Sequence, residues 1–211
     1  MNHKKKILEQ RAKEESKLDR DLITLTTIAS FLAVFGIKTN NVYVTLGAML
    51  VSPLFDPIVS ITVYYYTQNS KGLRQSIKSL IYVISLAFVV SGITWAILFK
   101  LHDLQTFTYA PTNINIFDSL FIAFLIGIVG SLMWIWPKTS NTTAGIAAAI
   151  SLIPPITMAA GGLILGDITD SLQYIALFAI NMIGIFAGAT IVIYAYFNQK
   201  KIRRFYKKFR I

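Results

Sequence analysis

The sequence predicts an all-α integral membrane protein of six transmembrane helices, forming two inverted three-helix repeats with helices two and five broken at proline. Three observations carry that expectation. Of 211 residues, 55% are hydrophobic and 14% charged, with a mean hydropathy of +0.59, whereas a soluble domain carries about 25% charged residues. Apolar stretches near the length that crosses a hydrocarbon core, about 20 residues, occur at 22–37, 42–66, 79–99, 117–136, 143–165 and 172–197. A polar-then-proline pattern recurs about one hundred residues apart, which divides the six stretches into two sets of three.

Taken in order, residues 1–21 are charged and poor in apolar side chains. They predict a basic cytoplasmic helix, solvated or held on anionic lipid headgroups, and they lack the early apolar run and cleavage site of a secretory signal. Residues 22–101 form the first repeat, whose opening span is only 16 residues long, so Asp21 or Lys38 must reach for headgroups. A loop at 102–115 is expected outside the cytoplasm, the second repeat covers 116–197, and 198–211 is a basic cytoplasmic tail. Lysine and arginine stay on the cytoplasmic side, and with the N-terminus inside, 18 of the 20 fall there while only Lys38 and Lys100 fall outside. Tyr64, Tyr65, Tyr66, Trp134 and Trp136 then sit at the inner interface and Trp95 near the outer one, either as an aromatic belt or as core packing.

The internal match begins with Lys38-Thr39-Asn40-Asn41 against Lys138-Thr139-Ser140-Asn141 and ends with Pro53 against Pro154. Three spans in each half invert the second half, and inverted repeats place a solute or ion site where discontinuous helices meet. Pro53 and Pro57 in span two, and Pro154 and Pro155 in span five, each lack a backbone donor. Mid-membrane breaks are therefore expected at both, satisfied by neighbours, hydroxyls or water.

Residues 47–58, Gly47-Ala48-Met49-Leu50-Val51-Ser52-Pro53-Leu54-Phe55-Asp56-Pro57-Ile58, and residues 144–155, ending Ser151-Leu152-Ile153-Pro154-Pro155, together resemble the bacterial and archaeal "uncharacterised hydrophobic domain" family, domain of unknown function three-eight-nine. The resemblance covers about 20–197 and implies a multi-spanning inner-membrane protein without implying an activity. Many members resemble this chain with a further soluble domain, which is expected to be missing here. Where the family often has glycine between the two prolines of the first motif, this sequence has Asp56.

Asp56 is the acidic residue deep inside a span, and a carboxylate there is a site hypothesis by default. It could take a proton, or bind a monovalent cation with carbonyls freed at the prolines; the alternative is a position at the inner interface. Ser52, Asn141, Ser151, Thr157 and Asn181 add polar atoms that serve a site or bond one helix to another. Gly184 and Gly188 form a small-xxx-small pair for close helix packing, within the subunit or across a homo-oligomer.

Zero cysteines and two histidines leave no disulfide, thiolate or histidine-cluster chemistry, so no metal or cofactor is expected. The basic residues flank apolar spans instead of lining one face, which argues against nucleic acid. No P-loop, HExxH, GxSxG or Rossmann fingerprint is present, and a lone carboxylate lacks the second acid of an aspartyl protease; an enzyme is not expected. The leading expectation is a transporter or channel-like permeation protein for a small solute or ion. Its rivals are a membrane scaffold or regulatory subunit and a lipid-handling protein.

Overall fold

The computed structural model describes residues 2–102, 115–136 and 152–198, which form eight helices and, among the described residues, no strand. They are α1 (Asn2–Glu15), α2 (Arg20–Lys38), α3 (Val42–Val51), α4 (Phe55–Thr67), α5 (Ser70–His102), α6 (Ile116–Ile135), α7 (Ile153–Leu165) and α8 (Ile168–Phe197). Five segments, with α3 and α4 taken together as one, are long and apolar enough to cross a membrane, and α7 is a shorter apolar helix.

Local chemistry sets the ends. Asp19 caps α2 by accepting from Leu22 N, Asn41 caps α3 by accepting from Tyr43 N and Val44 N, and Asp167 caps α8 by accepting from Asp170 N; each satisfies donors that a helix start leaves free. Gly166, with φ 81°, ends α7 in the left-handed region that glycine enters without penalty. Asn41 thus does the work of a cap, and Asn141, its counterpart in the sequence match, lies outside the described residues.

Large apolar side chains cover the perimeter, with Phe31, Ile81, Val89, Ile93, Ile97, Phe121, Ile122, Ile183 and Ile191 all exposed. In water such a surface would associate; against acyl chains it costs nothing. The interior holds three clusters. One joins Ile37 of α2, Leu98 of α5, Met158 of α7 and Tyr174 of α8. The central one joins Leu54 and Ile58 of α4 to Leu152, Ile153 and Ile156 at the start of α7. The third joins Leu8 and Ala12 of α1 to Val59 and Val63 of α4, Trp134 of α6 and Val192 of α8. Trp95, Tyr64 and Trp134 are buried in these contacts, while Tyr65 and Trp136 are exposed.

Glycines set the closest helix pair. A Cβ at Gly184 would lie 2.8 Å from Leu120 O, and one at Gly188 would lie 2.8 Å from Ile128 N and overlap Phe124 O. An advance of four residues along α8 meets a similar advance along α6, so the two helices run parallel. The Gly184/Gly188 pair serves packing inside the subunit.

Candidate functional site

After Val51 the chain leaves helix for Ser52–Leu54 and re-enters it at Phe55. The Ser52 hydroxyl accepts from Leu54 N at 3.4 Å, which occupies a donor exposed at the break. Pro57 then falls in the first turn of α4, where no backbone donor is required. Pro154 and Pro155 fall likewise in the first turn of α7. Pro57, Pro154 and Pro155 start helices instead of kinking them, and Pro53 lies in the break between α3 and α4. The stretch before Leu152, including Asn141 and Ser151, lies outside the described residues.

This changes the surroundings of Asp56. It occupies the first turn of α4, so the backbone beside it presents N–H groups and the positive end of the helix dipole, not carbonyl oxygens. A carboxylate is favoured there and a bare metal cation is not. Asp56 is partly buried and keeps some accessible surface.

Side chains of α1, α4 and α6 gather near Asp56. The Phe55 ring seats against Gly130, where a Cβ would come within 2.5 Å of Phe55 Cζ, and Trp134 of α6 clusters with Val59 and Val63 of α4. Ser60 lies one turn beyond Asp56 along α4 and Trp134 one turn beyond Gly130 along α6. Ser60 Oγ, Ser131 Oγ and Trp134 Nε1 are the buried side-chain polar atoms among the described residues that have no hydrogen-bond partner. The Trp134 N–H approaches the Asp56 carboxylate without closing a hydrogen bond. From α1, Arg11 attracts and Glu15 repels that carboxylate; the Arg11 guanidinium lies 4.8 Å from the centre of the Trp134 ring and 3.7 Å from the Glu15 carboxylate.

The structure therefore brings Asp56 near residues that sequence reasoning missed, Arg11, Glu15 and Trp134, with Ser60 one turn along the same helix. The signals were present as spacing, Ser60 four residues after Asp56 and Trp134 three after Ser131, but nothing in the sequence pairs α4 with α6. Other candidates stand apart. Pro154 and Pro155 are buried at the start of α7, and Thr157 pairs with Ser91 at 3.1 Å and accepts at its carbonyl from Trp95 Nε1 at 3.1 Å. Asn181 borders a separate cavity of 230 Å³ between α6 and α8, with Ser119 and Ile126 among its walls. A second, apolar cavity of 490 Å³ opens between α5, α7 and α8 beside Phe88 and Phe178.

Long apolar helices and an apolar perimeter are compatible with a multi-pass membrane protein. Residues 49–187 match the family described as "Domain of unknown function (DUF389)", and the chain belongs to that family. It is 29% identical over 191 residues to Uncharacterized protein MJ0678 of Methanocaldococcus jannaschii, a match covering 88% of this chain and 57% of that protein. The chain thus spans little more than half the length of this curated relative. No solved structure matches it.

Proposed function

We propose that the protein is a permeation protein of the cell membrane, a transporter or channel-like path for a small solute or ion, in which Asp56 takes up and releases a proton. The observation that carries this reading is a partly buried carboxylate, Asp56, in an apolar segment, with Trp134 beside it and buried polar atoms without partners at Ser60 and Ser131 on the same two helices. A buried charge is retained by pairing or removed by protonation. Metal cations need several oxygen ligands, and the described residues hold no group of three or more histidine, cysteine or acidic side chains. A proton needs no such cage, and the hydroxyls and indole can bond the carboxyl in either state or hold the water that delivers it.

Six spans and two inverted repeats complete the proposal. Because α6 and α8 run parallel, the chain between them has to recross the bilayer; the 13 residues of α7 cover about 20 Å at 1.5 Å each, leaving the remainder to residues before Leu152. The contacts are reciprocal, since α4 packs on α5 of its own half and α8 of the other, and α7 packs on α8 of its own half and α5 of the other. Exchange of the halves about an axis in the membrane plane generates that pattern.

Both termini are placed in the cytoplasm. Single cysteines in this cysteine-free chain report it: those replacing the exposed Thr39 and Thr169 should react with an impermeant thiol reagent from outside the cell, and one replacing the exposed Lys71 only after the membrane is opened. Outside labelling at position 71 overturns the orientation.

Function is tested in proteoliposomes of phosphatidylethanolamine and phosphatidylglycerol loaded with a pH-sensitive dye. With a potassium diffusion potential imposed by valinomycin, reconstituted protein should admit protons faster than protein-free vesicles. Equal rates favour a non-transporting scaffold. The basic termini supply contacts to anionic headgroups, and a homo-oligomer belongs to the same proposal, its interface drawn from the apolar perimeter.

A further inference from the structure

The 490 Å³ cavity between α5, α7 and α8 shares no residue with the surroundings of Asp56. Ile156 and Phe178 form its floor, both buried in the central cluster, and Phe88 packs on that cluster. Val89 and Ile175, 53% and 45% exposed, stand at its mouth. Ile81, Ile93 and Leu172 near them along α5 and α8 are exposed as well, so the opening is continuous with the apolar perimeter.

Ser85 is the one polar side chain in the lining. Apolar cavities exclude water: one of about 150 Å³ walled by leucine, isoleucine and phenylalanine stays dry and takes up an apolar molecule instead. A volume of 490 Å³ falls in the range of sites that hold a whole ligand, about 300–1,000 Å³. Packed interiors leave few gaps wider than a water molecule, so a space of this width, open to the side of the bundle, accepts the apolar molecule its surroundings supply. In a bilayer that molecule is an acyl chain.

Charge identifies the headgroup. On α5, Arg74 and Lys78 precede Ser85 by eleven and seven residues, which at about 100° per residue places both within about 20° of its direction around the helix. Arg74, Lys78, Ser85 and Val89 are all exposed and form one stripe that passes from cationic to apolar. Lys78 lies about 10 Å from Ser85 along the axis and Arg74 about 16 Å. The headgroup layer is about 5–8 Å deep on each side of the hydrocarbon, so both cations reach phosphates when Ser85 is level with the first acyl carbons. Among the described residues neither cation has an ion-pair partner. Tyr82, 40% exposed, stands between Lys78 and Ser85, at the level where interfacial aromatic side chains collect.

We infer that this cavity is the binding site of one bilayer phospholipid with an anionic headgroup, its acyl chain against Phe88, Ile156 and Phe178 and its phosphate at Lys78 and Arg74. Ile156 belongs to the first turn of α7, so the acyl chain packs against the start of that short helix. The inference needs the chain in a bilayer and does not depend on the reading of Asp56.

The test uses the full chain in vesicles of phosphatidylcholine and phosphatidylethanolamine that contain a trace of phosphatidylglycerol bearing a diazirine in its acyl chain. After irradiation, adducts are mapped by peptide mass spectrometry. Adducts within 84–89 and 175–178 should exceed those at the exposed Phe31 of α2 and Phe121 of α6, and excess unlabelled phosphatidylglycerol should remove the former while sparing the latter. Diazirine-bearing phosphatidylcholine should label the cavity about tenfold less, because each cation attracts the anionic headgroup, and Arg74→Gln combined with Lys78→Gln should erase the difference. Ser85→Trp and, from the opposite wall, Ile175→Trp fill the mouth from exposed positions and should bring cavity labelling down to that of Phe121. Cavity labelling no stronger than at Phe121 in the parent, equal labelling by the two lipids, or labelling that persists with both tryptophans overturns the inference. Loss of the folded protein from gel filtration with each tryptophan variant also overturns it, since residues at an open mouth are not needed to hold the bundle.

Discussion

Gly188→Val is expected to disrupt the bundle. A Cβ at this position overlaps Phe124 O and lies within 3.0 Å of Gly127 C, so two further methyl groups have no space unless α8 moves off α6. Neither backbone can yield locally, because Gly127 presses just as closely on the Ile185 main chain. Overpacking of this kind costs about 3 kcal/mol or more, a large part of the stability of any domain. In detergent, the variant should melt well below the parent or elute as aggregate. Gly47→Ala is the matched control: a Cβ at Gly47 meets nothing within 4 Å, and alanine in a helix is favoured over glycine by about 0.5–1 kcal/mol, so this variant should melt at or above the parent. If Gly188→Val melts with the parent, the contact between α6 and α8 is not as described.

Asp56→Asn is expected to leave the fold and remove the function. The amide has nearly the volume of the carboxyl and keeps an oxygen for the Trp134 N–H and the serine hydroxyls, but it cannot exchange a proton. Proton entry into the proteoliposomes should fall to that of protein-free vesicles, with the melting temperature little changed. Asp56→Leu goes further, because it removes every polar atom of the side chain from the start of α4, where a carboxylate complements the helix dipole, and should lower the melting temperature as well. Undiminished proton entry in the asparagine variant makes the carboxylate structural and returns the protein to the scaffold reading.

The behaviour of the prolines shows how far local sequence carries. Four prolines in two apolar spans announce that regular helix is interrupted, and the chain does leave helix at Ser52–Leu54. Whether a proline kinks a helix or begins one depends on where the preceding helix stops. α3 stops at Ser52, whose extended backbone precedes Pro53, and the break is then packed by Leu54 and Ile58 against Leu152 and Ile153, about one hundred residues away in the chain. The difference decides the chemistry: Asp56 sits beside N–H groups, whereas a kinked helix would have offered it carbonyl oxygens and a cation site.

α1 teaches the same lesson. Its composition reads as a solvated basic helix, and for most of its surface that is right. Leu8 and Ala12 make too narrow a stripe to be noticed, yet they seat it against α4, α6 and α8, and Arg11 thereby enters the neighbourhood of Asp56. Likewise Gly184 and Gly188 announce close packing from spacing alone, while the identity of the neighbour, α6 of the same chain, had to come from the assembled bundle.

Hydropathy, charge and capping residues determined by themselves that this chain is helical, that its helices are long and apolar enough to span a membrane, where most of them begin and end, and that Asp56 is the acid to examine. Those properties depend on residues within a few turns of one another and on transfer of side chains between water and hydrocarbon. The tertiary structure decided what surrounds Asp56, which helix α8 packs against, and that the N-terminal helix seats on α4 and Trp134, because each of these is a contact between distant segments whose register is chosen by shape, by Phe55 against Gly130 and Gly188 against Phe124, and shape complementarity has no period in the sequence.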